Sequence, residues 1–283
     1  TRPSSMSSCR CASAVPDPAR PVSIYLRCAF VALALVSAQF VFAAESGIRI
    51  SDAEADRIGR KIWRNECAGT KDGLTSWNKG EDFPSLGIGH FIWYPAGERG
   101  PFQESFPGLK DYLQSQAVKL PGWLAAARAC PWKNRADFMA DFNGPRLSGL
   151  RDLLASTVGL QARYAALRLE AALPKMLESA PAAQREKIRA NFYRVANSPG
   201  GLYPLMDYVN FKGEGTSPTE RYQGEGWGLL QVLAGMTESG SPTAAFSRSA
   251  DRVLTRRVEL SPPARGEKKW LAGWRNRVSS YAP

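Results

Sequence analysis

Residues 51–66 read SDAEADRIGRKIWRNE, and this segment decides how the fold begins. Ser51 can accept a hydrogen bond from the first turn of a helix, as serine at an N-cap position does. The apolar residues Ala55, Ile58 and Ile62 then recur at intervals of three and four. Because this spacing places them on one side of a helix, we predict an amphipathic α-helix whose apolar face packs against the core.

The composition changes after this helix. Over residues 69–107 the chain is rich in glycine, proline, asparagine and aromatic residues, and a short strand-like run extends from Leu86 to Tyr94. These features predict a small β-hairpin region. Helical periodicities dominate the remainder of the chain. We therefore predict an α+β fold that is mostly α-helical, with a helix and hairpin region at 48–106 and a helical lobe at 107–283.

An apolar segment near the beginning has the layout of a secretory signal peptide. Residues 28–43 are mostly apolar, follow Arg20 and Arg27, and end in small residues. A membrane anchor is the alternative, although polar residues interrupt a run that is already short for a bilayer span. We predict a leader and signal peptide over 1–43 and one domain over 44–283. The protein would then be exported, periplasmic or secreted, with no stable membrane span after cleavage.

The chain is basic, with a formal net charge of +11 at pH 7. It stays basic without residues 1–43, which contain four arginines and one aspartate. A basic exported protein is attracted over long range to an anionic polymer or a membrane surface. Nucleic acid is the competing partner, but the sequence has no nucleic-acid-binding motif and no basic stripe interleaved with aromatic residues. We predict a monomer that binds peptidoglycan or a related polysaccharide.

Cysteine and histidine are too few for a metal site in the predicted domain. Three of the five cysteines precede residue 44, which leaves Cys67 and Cys130. This pair could form a disulfide in an oxidising compartment, or remain as two buried thiols. His90 is the single histidine of the chain, and no Cys-x-x-Cys pair accompanies it. We therefore predict neither a metal nor a cofactor.

Glu66 is the candidate for a catalytic acid. It follows Ile62 by four residues and Ile58 by eight, so it projects from the apolar face if the helix continues that far. A carboxyl group among apolar neighbours loses solvation of its charged form and keeps its proton more readily, as a general acid requires. A solvated or helix-capping glutamate is the alternative.

The turn after this helix supplies further candidates. Glycoside hydrolysis needs a proton donor and a second carboxylate, for which Glu81 and Asp82 are the local candidates. Ser85 could orient water, and the glycines at 87 and 89 let the backbone approach a ligand. The alternative is an ordinary tight turn with solvated charges.

Aromatic and amide side chains could line a sugar groove, because aromatic faces stack on pyranose rings and amides bind N-acetyl groups. The candidates are Trp77, Asn78, Asn210, Tyr222 and Trp227. Aromatic residues near turns are also often part of the core.

The Glu66 helix followed by SLGIGH at 85–90 resembles the phage-type lysozymes, glycoside hydrolase family 24. In that family a helix-borne glutamate precedes a hairpin that contains Thr-x-Gly-x-Gly-His. Ser85 stands in place of the threonine, and Lys79 stands where the family has its aspartate. The resemblance implies that His90 is a hydrogen-bonding residue of the turn near the substrate.

A second resemblance to the same family lies toward the end of the chain. Residues 207–215 (DYVNFKGEG), 228–231 (GLLQ), 252–257 and 270–281 follow the order of that family's C-terminal lobe. The two resemblances imply a two-lobed lysozyme-like fold. They also imply cleavage between N-acetylmuramic acid and N-acetylglucosamine in peptidoglycan, with Glu66 as acid, no cofactor, and Glu214 facing the cleft.

Other functions remain open. Glu214 precedes GWGLLQV at 226–232, which is similar to the Gly-Leu-Met-Gln element after the catalytic glutamate of soluble lytic transglycosylases. Glu214 would be the acid in that case, although its two flanking glycines predict a flexible loop. A wall-binding module without catalysis is a further alternative, because Lys79 replaces an expected acid. A chitinase or chitosanase is the third, and a basic protein suits cationic chitosan least.

Overall fold

The structure, a computed structural model, describes residues 47–100, 102–237 and 239–282. The described residues form one compact unit. The predicted leader and signal peptide at 1–43 lie outside the described residues. Among the described helices, none combines the length and the apolar character needed to cross a bilayer.

The first part of the described chain is a helix followed by a small sheet. Helix α1 spans Asp52–Glu66, and a 3-10 turn at Asp72–Leu74 leads into three two-residue strands. These are β1 (Thr75–Ser76), β2 (Ser85–Leu86) and β3 (Phe91–Ile92). They pair antiparallel in the order β1-β2-β3, with Thr75 opposite Leu86 and Ser85 opposite Ile92.

The remainder is largely helical. Its elements are α2 (Phe106–Ser115), α3 (Gly122–Ala126), α4 (Arg135–Ala140), α5 (Pro145–Ser156), α6 (Val158–Glu178), α7 (Ala182–Ala196), α8 (Leu202–Lys212), β4 (Arg221–Tyr222), β5 (Glu225–Gly226), α9 (Leu229–Gly235), α10 (Pro242–Leu260) and α11 (Leu271–Ser279). The prediction of a mostly helical α+β fold is confirmed. The sheet is smaller than predicted, because a turn at residues 87–90 interrupts the apolar run between β2 and β3.

Helix α1 has the N-cap and the apolar face that its sequence predicts. Ser51 accepts a hydrogen bond from the backbone N–H of Glu54 at 3.2 Å, and the predicted apolar face is buried. This face packs on α6. A Cβ added at Gly59 would lie 2.6 Å from the side chain of Val158 and 2.7 Å from its carbonyl oxygen. Glycine therefore allows the backbones of α1 and α6 to approach closely.

Helix α8 lies deep in the helical part. All residues from Leu202 to Tyr208 are buried, which is typical of a helix surrounded by other helices. The helices around it are joined by side chains that satisfy backbone groups: Asn191 of α7 donates to the carbonyl of Leu233 at 2.8 Å, and Ser249 of α10 donates to that of Val232 at 2.7 Å. Burial of these polar groups is therefore compensated.

Candidate functional site

A cavity of about 340 Å³ lies where the β2–β3 turn, α6 and α8 meet. Ile62 of α1 and Gly89 of the turn contribute to its lining, and Asn210 and Glu214 contribute from the end of α8 and the loop beyond. The remaining lining residues are Ile88, Phe91, Gln103, Ala165, Arg168, Leu169, Ala171, Ala172, Lys175, Met206 and Val209. A largely apolar lining with a few polar groups is the composition of a small-molecule site.

The β2–β3 turn is held by a buried glutamine. Gln161 of α6 accepts a hydrogen bond from the backbone N–H of Ile88 at 2.9 Å and donates to the carbonyl of Leu154 at 2.6 Å. Gly87 has φ +72°, and a Cβ there would lie 2.3 Å from the amide oxygen of Gln161. A Cβ at Gly89 would lie 2.8 Å from the ring of Phe91. The space beside these two glycines, where we predicted that a ligand could approach, is thus occupied by Gln161 and Phe91. Gly89 nevertheless also lines the cavity.

Glu66 is the last residue of α1 and is only partly buried, since 24% of its side chain is exposed. Its Oε1 accepts a hydrogen bond of 2.8 Å from Nη2 of Arg277 in α11. The predicted apolar surroundings are therefore incomplete, because a guanidinium group is the direct partner of the carboxylate. Glu66 itself is not among the described residues that line the cavity; Ile62, one turn earlier on the same helix face, is.

Arg277 also holds the buried carboxylate of Asp207 in α8. Its Nε donates to Oδ2 at 2.7 Å and its Nη2 to Oδ1 at 2.8 Å, while only 3% of the Asp207 side chain is exposed. Tyr281 and Tyr203 donate their hydroxyl groups to the two oxygens of the same carboxylate. The hydrogen bonds to Asp207 raise the pKa of Arg277. Glu66 thus faces an arginine whose charge is balanced by a second acid.

The other local candidates lie away from the cavity lining. Asp82 is exposed, Glu81 is partly buried, and Ser85 is fixed within β2 between Ser76 and Ile92. The backbone carbonyl of Glu81 accepts from an indole N–H, and one carboxylate oxygen is buried with no hydrogen-bond partner among the described residues. None of the three is among the residues that line the cavity.

Of the two alternatives for the cysteine pair, the structure has the second: Cys67 and Cys130 are two buried free thiols. Burial raises the pKa of each thiol to about 12, so neither is a ready nucleophile. The sulfur of Cys67 lies 3.9 Å from Nε2 of His90, an exposed residue at φ +47° in the turn. Within the described ranges, no three His, Cys, Asp or Glu side chains gather as a metal site would require.

Two of the aromatic candidates are core residues, so their assignment to a sugar groove is wrong. Trp77 is 4% exposed, its indole N–H donates to the carbonyl of Glu81 at 2.7 Å, and its ring meets that of Phe138 edge to face. Trp227 is 8% exposed. Asn78 is exposed but lies outside the cavity lining. Buried rings have no free face on which a sugar could stack.

Tyr222 belongs to a charged cluster around Glu267 rather than to the cavity. Its hydroxyl donates to Glu267 at 2.8 Å, and Arg257 and Arg265 bind the same fully buried carboxylate. Hydrogen bonds from Arg257, then from Tyr222 and Arg265, lower the pKa of Glu267 to about 2. The guanidinium of Arg257 lies 4.1 Å above the ring of Trp227. Tyr222 and Trp227 therefore both contact this charged cluster.

Asn210 and Glu214 are the two predicted binding residues that line the cavity. Asn210 is exposed, and about a third of the Glu214 side chain is exposed, 32%. The ammonium group of Lys175 lies 3.8 Å from Oε2 of Glu214. Lys175 and Arg168 also line the cavity but were not predicted. Their spacing of seven residues places them on one face of α6 and could have indicated that they lie together.

The loop around Glu214 is held by hydrogen bonds to α9. Gly213 and Gly215 have φ of +76° and +83°. The backbone carbonyls of Gly213 and Glu214 accept hydrogen bonds from the first N–H groups of α9, those of Leu229 at 3.0 Å and Leu230 at 2.9 Å. The glycines are needed for this backbone shape, so they fix the loop rather than loosen it.

Comparisons with known proteins identify no relative. No family model matches the sequence, and no curated protein or solved structure matches it either. The resemblance to phage-type lysozymes therefore rests on the residues and motifs themselves. The functional assignment has to be argued from the geometry of the site.

Proposed function

We propose that the protein is an exported peptidoglycan glycan-strand hydrolase with a two-lobed lysozyme-like fold, in which Glu66 is the general acid. One observation carries the proposal. The helix that ends at Glu66, the Gly-x-Gly-His turn and the Asn210–Glu214 segment are far apart in sequence but border one cavity. They are among the segments on which the resemblance to family 24 rests.

The size and lining of the cavity support a sugar ligand. Its volume of about 340 Å³ falls within the range of small-ligand sites. Ala172 and Val209, which are both partly exposed, supply apolar surface. Among the described residues, the side chains of Gln103, Arg168 and Asn210 have no hydrogen-bond or ion-pair partner, so their polar groups are available to hydroxyl and N-acetyl groups of a ligand.

The environment of Glu66 supports the acid role by orientation. In glycoside hydrolysis the acid transfers its proton to the oxygen of the leaving sugar. Arg277 binds one carboxylate oxygen of Glu66, which leaves the other oxygen, Oε2, for that transfer. Because Asp207 balances the charge of Arg277, the arginine can fix the position of Glu66 without adding an uncompensated positive charge beside it.

The direct test is Glu66→Gln, assayed by the release of reducing sugar ends from purified sacculi. We expect activity to fall about 10²-fold or more, because an amide cannot donate the proton. The thermal unfolding midpoint should stay close to that of the wild type. Glu98→Gln, a change at an exposed loop residue, is the matched control and should leave activity unchanged. Full activity of Glu66→Gln would refute the acid assignment.

A second reaction class is favoured by the position of Glu214, which lines the cavity as a lytic transglycosylase acid would. Such an enzyme breaks the same bond without adding water and leaves an anhydro sugar end. Mass spectrometry of digested sacculi separates the two reactions, because the anhydro product lacks one water. Binding to sacculi without release of any fragment would instead support a wall-binding module.

A further inference from the structure

We propose that Glu214 is the second carboxylate of the site and accepts a proton from the attacking water. This inference rests on the proposed glycan hydrolase function. It replaces Glu81 and Asp82, the two candidates suggested by their proximity in sequence to Glu66. It also accounts for Lys79, because no acid is then needed at that position of the hairpin.

Position is the first argument. Of the described residues that line the cavity, Glu214 is the one with a carboxylate. Glu81 and Asp82 lie in the loop between β1 and β2 and do not contribute to the lining. A base must reach the water that attacks the sugar, and Glu214 fits this role because it lines the cavity.

Rigidity is the second argument, because a catalytic base has to be held in place. The backbone on both sides of Glu214 is bound to the start of α9 through the carbonyls of Gly213 and Glu214. Gln231 of α9 adds a hydrogen bond from its amide nitrogen to the carbonyl of Gly215 at 3.1 Å. A Cβ at Gly215 would lie 2.2 Å from the amide oxygen of Gln231, so the loop fits closely against this side chain.

Access is the third argument. About a third of the Glu214 side chain is exposed, 32%, and the one described cation within ion-pair distance is the exposed ammonium group of Lys175, at 3.8 Å. This distance exceeds that of a direct hydrogen bond. The carboxylate therefore keeps free oxygen lone pairs with which it can bind water.

In the proposed step one bond at the anomeric carbon forms as another breaks. Water lies between Glu214 and the anomeric carbon, and its oxygen forms the new bond to that carbon while Glu214 takes the proton. The bond from the anomeric carbon to the leaving oxygen breaks, the electron pair stays with that oxygen, and Glu66 supplies its proton. Because water attacks directly from the face opposite the leaving group, the configuration at the anomeric carbon inverts.

The test compares three single variants of the full chain on purified sacculi: Glu214→Gln, Glu81→Gln and Asp82→Asn. We expect Glu214→Gln to lower kcat about 10²-fold or more, with little change in KM. The other two variants are matched controls that also remove one charge, and they should retain the wild-type kcat. Azide should restore turnover to Glu214→Ala and give a glycosyl azide, because this anion attacks without a base. If Glu214 had a purely structural role, azide would not restore turnover and no glycosyl azide would form.

The outcomes separate this inference from the proposed function. An inactive Glu66→Gln with a fully active Glu214→Gln would overturn the inference alone, whereas full activity of both variants would overturn the proposed function. If the Glu214 variants fail to fold, the product formed by the wild-type protein tests the inference instead. NMR of the freshly formed anomer must show inversion, and either retention or an anhydro end would contradict water activation by Glu214.

Discussion

Arg277 binds the buried carboxylate of Asp207 through two hydrogen bonds, of 2.7 and 2.8 Å. The same guanidinium reaches Glu66 at the end of α1, 211 positions away in the sequence. Helices α1, α8 and α11 are thus joined at one side chain. This arrangement makes Arg277 important for the stability of the protein as well as for the position of the candidate acid.

Replacing Arg277 by methionine should destabilise the protein by about 3–5 kcal/mol, since Asp207 would keep a buried charge without its cationic partner. Urea denaturation at neutral pH measures this loss. Arg275→Met is the matched control on the same helix. Its partner Asp251 is 43% exposed, so the loss there should stay below about 1 kcal/mol. Equal losses in the two variants would contradict the compensating role of Arg277.

The β2–β3 turn gives a second prediction. Gly87→Ala should lower the free energy of unfolding by about 3 kcal/mol, because the new methyl group clashes with Gln161 and because alanine disfavours the positive φ at this position. Gly80→Ala is the control that isolates the backbone effect. Gly80 has φ +89° but no atom within 4 Å of an added Cβ, so about 1 kcal/mol is expected. Chemical denaturation compares the two, and similar costs would rule out close packing against Gln161.

We expect the stability of the protein to depend on pH because of Lys212. Its ammonium group lies 4.0 Å from the ring centre of Phe211 and 3.7 Å from that of Trp274, and burial, with Arg257 nearby, lowers its pKa to about 7. Between this value and the unfolded pKa of about 10.4, the unfolded chain binds more protons. Stability from this group therefore rises with pH.

Lys212→Met removes that proton uptake, so the stability gained between pH 7 and pH 9 should shrink by up to about 2 kcal/mol relative to the wild type. Urea titrations at the two pH values measure the difference. Lys269→Met is the control, because Lys269 also lies near an aromatic ring, 5.0 Å from Trp270, but is exposed. An unchanged pH slope in Lys212→Met would mean that Lys212 titrates normally in the folded protein.

The features predicted correctly from the sequence depend on short-range patterns. The Ser51 cap and the Ala55, Ile58 and Ile62 face of α1 are set by neighbours within a turn or two of one helix, and they appear as expected. The mostly helical α+β class follows from the same local periodicities. Asn210 was proposed as an amide for a sugar groove and Glu214 from the resemblances of the segment around it, and both line the cavity.

The errors concern contacts between distant segments. The sequence around Arg277 does not reveal that this side chain binds a buried acid of α8, 70 positions away. Trp77 and Trp227 lie beside turns, where a ring can face either solvent or core, and tertiary packing places both inside. For Cys67 and Cys130 the sequence left a disulfide and two free thiols as alternatives, because a count of cysteines contains no distance; in the structure both are free thiols.

Gln161 changes what the glycine turn means. Its amide is fully buried and links the turn to α6, so the glycine at 87 is required by an internal neighbour. In the proposed function, the chemistry would depend instead on carboxylates carried by other segments. A protein could therefore keep the Gly-x-Gly-His signature and the whole scaffold while losing every catalytic group. Searches for enzymes of this type should demand both acids, since the turn by itself is evidence of architecture.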